Sequence, residues 1–191
     1  RLLLLTGVRR SAVLGLQRGE LKKLETDEAQ WLIPEARSKS GKEHLVPLSE
    51  EAERIILRRM EAVPTEYLFP QLDDEEKPVE RPMFWSSHFV NDLKRRANRI
   101  HGAKLPAWKI HSFRSALSTL GREEKALSFD GDVIRWLLGH STGTRIDRAY
   151  DRSTLIGKRR EALAKWARWL DGLKSEEAGG AKVLPFSGGR A

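Results

Sequence analysis

Six side chains of this sequence could hold an anion or move a proton: Arg9, Lys39, His111, Arg114, His140 and Tyr150. Arg9 follows a Thr6-Gly7 break in LLLLTGVRRSAVLGL and opens a helix. A helix start disfavours a cation unless an anion is near, and its free N–H groups together with a guanidinium would bind phosphate. The plain alternative is an exposed arginine pair, Arg9 and Arg10. Lys39 sits in RSKSGKEHLVPL, at a hairpin tip, where lysines are ordinarily solvated. His111 and Arg114 lie one turn apart in HSFRSALSTL, opposite an apolar stripe of Phe113, Ala116, Leu117 and Leu120. Two polar residues on such a face can equally be plain surface. His140 ends LLGH, where a helix C-terminus favours the protonated imidazole for structural reasons alone. Tyr150 stands among Arg145, Arg148 and Arg152. A free phenol has a pKa of about 10, and neighbouring cations favour its phenolate; a surface tyrosine is the other reading.

The elements that must position these groups are mostly helical. Residues 1–17 read as two helical pieces around Gly7, with Val13, Leu14 and Leu16 buried. WLIP (Trp31 to Pro34) and LVPL (Leu45 to Leu48) read as strands of a hairpin around the polar Ser38–His44 turn, Pro47 keeping the second strand short or at an edge. Ser49 is a helix N-cap, followed by a stripe of Ala52, Ile55, Ile56 and Met60 that stops at Pro64. Residues 70–85 read as an acidic, proline-containing loop. A helix from about Ser87 to Gly102 should bury Phe89, Val90, Leu93, Ala97 and Ile100. DVIRWLLGH contributes Val133, Ile134, Leu137 and Leu138 to the core, and a last helix from about Gly157 to Leu173 contributes Leu163, Trp166, Ala167 and Leu170. Tyr67 reads as core. The fold class is thus mainly α with a small antiparallel β-sheet.

Composition narrows the partners. With 35 Lys and Arg against 27 Asp and Glu, the 191-residue chain carries a net charge of +8 and a pI near 9.9. That favours a polyanion. An anionic membrane would be the rival, but the run Leu2–Leu5 is far too short to span one. The absence of cysteine removes disulfides, thiolate catalysis and cysteine-bound zinc. The apolar start without methionine reads as a cut within or just before a helix of a longer protein.

Taken in order, an arginine, a hairpin lysine, His-x-x-Arg, Leu-Gly-His and a tyrosine ten residues later, the strings TGVRRSAVLGL, SKSGKEHLVPLS, HSFR, LLGH and AYDR closely resemble the catalytic domain of the tyrosine recombinases, the phage-type integrases. The ending KRREALAKWARWL with its KVLPF tail is similar to integrases of prophages and genomic islands. The resemblance implies a catalytic domain over residues 1–174, a separate N-terminal DNA-clamping domain absent from this sequence, and a tail, 175–191, that subunits exchange. It implies a Tyr150 nucleophile forming a 3′-phosphotyrosine with DNA, Arg9 and Arg114 on the non-bridging oxygens, Lys39 as general acid to the 5′-oxygen, His111 taking the tyrosine proton or bonding the phosphate, and His140 donating a further hydrogen bond. Neither metal, cofactor nor ATP is implied. The partners implied are double-stranded DNA attachment sites, a homotetramer on DNA and accessory DNA-bending proteins, in a bacterial cytoplasm. One departure stands out: the family often carries an acidic residue three positions after the first arginine, and here that position is Ala12. Ala12 gives some support to a catalytically impaired DNA-binding remnant of the same fold. A type IB topoisomerase would share the chemistry, but the C-terminal strings argue against it.

Overall fold

The computed structural model describes residues 1–139 and 152–177. The expectations for His140, Tyr150 and the tail beyond Glu177 therefore lie outside the described residues, while residues 175–177, expected in the tail, continue the last helix. Leu2–Thr6 forms α1, ended by Gly7 in the left-handed region (φ 64°), and Arg10–Leu14 forms α2 with Arg9 as its N-cap. Every leucine of α1 except Leu4 is buried, because the helix runs through the middle of the domain and packs on α3 (Glu50–Ala62), α5 (Ser112–Glu123) and α7 (Arg152–Glu177). The apolar start of the sequence is thus core.

Three short strands follow in space order: β1 (Leu21–Lys22), β2 (Gln30–Ile33) and β3 (His44–Pro47), all antiparallel. The β2–β3 register pairs Trp31 with Val46 and Ile33 with His44. The expected hairpin is present, with a third strand added on its other side, and residues 34–43 connect β2 to β3. Ser49 caps α3 as its type and position require, its hydroxyl accepting from the Ala52 N–H. The C-terminal end of α3 is closed from outside: Arg18 donates to the carbonyls of Met60, Val63 and Thr65. Those carbonyls have no partner within the helix, so a guanidinium there satisfies both hydrogen bonding and the dipole.

Residues 70–85 depart from the expected loop. Pro70–Leu72 (β4) and Pro78–Pro82 (β5) pair antiparallel, with a bulge after Pro70, and only the acidic tip is a turn. Proline is tolerated because each strand of a two-stranded sheet keeps one free edge. The helix α4 (Ser87–His101) also departs: none of its residues is buried, Phe89 is exposed, and Ile100 is 88% exposed. Its amphipathic pattern finds no covering layer among the described residues. Tyr67 is half-buried, bridging to Gln17 rather than filling the core. Gly131–Leu137 (α6) buries Val133, Ile134, Leu137 and Leu138 as expected, and α7 begins earlier than Gly157 while burying Leu163, Trp166 and Ala167. No described helix is long and apolar enough to cross a membrane.

Candidate active site

Arg114 departs from the solvent-facing position that helical periodicity assigns it. It is 6% exposed and points inward with Leu117 and Gly121. Its Nη1 donates to the Gly7 carbonyl at 2.7 Å and its Nη2 to the Leu138 carbonyl. Gly7 is the C-cap of α1 and Leu138 the C-cap of α6. Two C-cap carbonyls, otherwise left without a helical partner, therefore converge on one guanidinium and offset its desolvation. Burial, then the neighbouring Arg9, lowers the Arg114 pKa to about 10. It stays protonated at neutral pH.

Gly7 makes this possible twice over. Its φ belongs to the region that L-residues avoid, and a Cβ there would lie 2.4 Å from Leu117 Cδ2. The turn brings Arg9 to the rim of a cleft that it shares with Arg114, Lys39, Ser38, Arg37 and His44. The cleft is open to solvent and no carboxylate lines it. Among the described residues the side chains of Arg9 and Lys39 have no hydrogen-bond or ion-pair partner. These two cations, in a concavity that no acid lines, hold a positive potential that an anion relieves. Since α2 is little more than one turn long, the guanidinium itself, rather than a helix dipole, is the main attraction at Arg9.

Three of the six expected residues, Arg9, Lys39 and Arg114, are thus brought together from distant parts of the chain. His111 is not among the cleft-lining residues. It is exposed, at the N-cap of α5, and its carbonyl accepts from the Arg114 and Ser115 N–H groups. His140 and Tyr150 lie outside the described residues; His140 follows Gly139 directly in the chain.

Two cleft residues are not legible in the sequence. His44, the first residue of β3, faces Arg159, Arg114 and Arg9. Burial first, then those cations in that order, lowers its pKa to about 4, with the Trp136 backbone opposing. The ring is neutral at pH 7, and its buried Nε2 has no hydrogen-bond partner among the described residues. It rests on Gly139 (φ 59°), where a Cβ would stand 2.8 Å from His44 Nδ1. Arg37, two residues before Lys39, turns its guanidinium to the buried Glu20. Arg159 ties α7 to the same region by donating to the Leu45 carbonyl at 2.9 Å. Among the described residues no cluster of three or more His, Asp or Glu could hold a metal ion.

Comparisons with known proteins place the chain in a family. The model of the phage integrase family matches residues 1–155. The prophage integrase IntA of Escherichia coli K12 is 32% identical over 166 residues, which is 86% of this chain and 36% of that protein. The integrase of Shigella phage Sf6 is 27% identical over 70% of this chain and 31% of its own length. The chain thus spans about a third of the curated relatives it matches. Among solved structures, the XerH site-specific recombinase bound to difH in a pre-cleavage complex superposes with a TM-score of 0.50 at 20% identity, covering 80% of this chain and 42% of that one. The Tn1549 transposon integrase with circular intermediate DNA gives 0.50 at 17%, covering 90% and 57%. With its sequence matched over residues 1–155 and its helices laid out as in these recombinases, the chain belongs to the phage integrase family and carries the tyrosine recombinase catalytic-domain fold.

Proposed function

We propose that residues 1–174 form the catalytic domain of a site-specific DNA recombinase that breaks and rejoins DNA through a phosphotyrosine. The observation that carries the reading is the convergence of Arg9, Arg114 and Lys39 on one cleft without a lining acid. A phosphodiester fits that charge. Two planar guanidinium forks suit its non-bridging oxygens and stabilise the charge that grows on them as phosphorus becomes pentacoordinate.

In this reading the Tyr150 hydroxyl attacks phosphorus, and its proton passes to His111, or to solvent where His111 instead bonds the phosphate. The P–O5′ bond breaks, and Lys39 gives a proton to the departing 5′-oxygen. The 3′-phosphotyrosine conserves the phosphodiester's energy, so a second 5′-hydroxyl reverses the step without ATP. His140 donates to the same phosphate. DNA is the substrate by charge complementarity and by family; attachment sites, a tetramer on DNA, DNA-bending accessory proteins, a preceding DNA-clamping domain, exchange of the 175–191 tail and a cytoplasmic setting all belong to this proposal.

A nicked suicide duplex carrying the attachment site tests it. The full-length protein is expected to yield a covalent protein–DNA product, and Tyr150→Phe none. Salt-sensitive binding with no adduct on any cognate site would leave only a DNA-binding remnant.

A further inference from the structure

Arg37 lies two residues before Lys39 and lines the same cleft, yet its guanidinium is committed inward. Nε donates to Glu20 Oε1 at 2.8 Å, Nη2 donates to Glu20 Oε2, and Nη1 reaches the Ala12 carbonyl at 3.4 Å. Glu20 is 7% exposed and is itself held: Oε2 accepts from Trp31 Nε1 at 2.9 Å and lies 3.4 Å from the Gln17 nitrogen. The backbone makes room for this arrangement at Gly15, where a Cβ would fall 2.4 Å from Arg37 Nη1. Gly15 has an ordinary φ of −96°, so glycine is needed there for space and not for conformation.

The connection that carries Lys39 has little else to fix it. Its other described hydrogen bonds, from the Arg37, Ser38 and Gly41 nitrogens and between the Ser38 and Ser40 hydroxyls, stay within residues 34–43. Those of Arg37 alone, among the described residues, tie it to α2 and to the Arg18–Glu20 turn.

We infer that the Glu20–Arg37 pair is a clamp that positions Lys39 over the cleft between Arg9 and Arg114. It acts through Lys39, touching no reacting atom. It also offsets the alanine at position 12, since Arg37 takes that residue's own carbonyl and brings a buried carboxylate beside it. The inference rests on Lys39 being the general acid of the proposed reaction.

The test uses the full-length protein and its suicide duplex, made with oxygen or with sulfur at the scissile 5′-bridging position. A thiol has a pKa of about 8.5, so a thiolate leaves without needing a proton. Arg37→Ala and Gly15→Ala are expected to slow adduct formation on the oxygen substrate by about 100-fold, within the range general acids contribute. On the sulfur substrate the slowing should be under about threefold, because the step that Lys39 assists is bypassed. Gly15→Ala keeps Glu20 and Arg37 and only displaces the guanidinium, so it serves if Arg37→Ala, which strands a buried carboxylate, fails to fold. Equal slowing on both substrates, or none on either, overturns the clamp. Absence of adduct with the unsubstituted enzyme counts against the recombinase reading. The clamp is then decided by amide hydrogen exchange: Gly15→Ala should speed exchange at residues 38–43 about tenfold while α3 and α5 stay protected. Unchanged exchange there overturns it.

Discussion

Arg114 Nη1 and the carbonyl oxygen of Gly7 are 2.7 Å apart although 107 positions separate them in the chain. This bond joins the C-terminal end of α1 to α5 and sets the floor on which the cleft is built. A left-handed glycine at position 7 does two jobs, turning its carbonyl to Arg114 and letting Leu117 pack against its bare Cα.

Gly7→Ala should therefore cost on the order of 2–4 kcal/mol, combining left-handed strain with overpacking against Leu117. Gly102 provides the control. Its φ is 74° but nothing lies within 4 Å of its missing Cβ, so Gly102→Ala should cost only about 1–2 kcal/mol, the strain alone. Urea unfolding of the two variants measures the difference, and equal losses would show that the Leu117 contact is unimportant.

Caps and stripes were legible in the sequence because they are local. Ser49, the Gly7 break, the β2–β3 hairpin and the core leucines of α6 all follow from residue type and period. Arg114 stands out in the sequence by its spacing from His111, but not as a buried residue. Its burial depends on two helix ends meeting it from elsewhere in the chain, which no periodicity contains. The β4–β5 hairpin was hidden by its three prolines and acidic tip. For α4 the period gave the helix correctly but could not say whether a partner covers its apolar side.

That last point has a measurable consequence. Ile100→Lys should change stability by no more than about 0.5 kcal/mol, as for an ordinary surface site. Leu117→Ala, at a fully buried position of α5, should cost about 2–5 kcal/mol. Thermal or urea unfolding compares them directly, and a large loss at Ile100 would mean that α4 is packed against something in solution.

His44 predicts a pH dependence. Its pKa of about 4 in the folded chain lies below the ordinary 6.5, so between those values the unfolded chain binds a proton that the folded chain refuses. Unfolding is then favoured as pH falls, with stability lost progressively from about pH 6.5 to pH 4 and nothing further from this residue below that. The loss is on the order of 3 kcal/mol at the acid end. Arg159, Arg114 and Arg9 face the ring and oppose its protonation. His44→Gln should flatten the unfolding free energy across pH 4–6.5; an unchanged profile would assign the dependence to other groups.

Arg9 and Arg114 should separate in their effects on stability while agreeing in their effects on DNA. Arg114 holds two helix-terminal carbonyls, so Arg114→Gln should cost about 2–4 kcal/mol of folding stability as those carbonyls lose their donors. Arg9 has no partner among the described residues and sits close enough to Arg114 to lower its pKa. Arg9→Gln should accordingly leave stability unchanged or raise it by up to about 1 kcal/mol, because a like charge is removed. On duplex DNA, loss of the phosphate contact proposed for Arg9 should lower the slope of log affinity against log salt by about 0.9. Urea unfolding and a salt titration of DNA binding on the same two variants decide the matter. If Arg9→Gln destabilises the fold as Arg114→Gln does, Arg9 is part of the framework; if it leaves the salt slope unmoved, the phosphate contact proposed for Arg9 is not made.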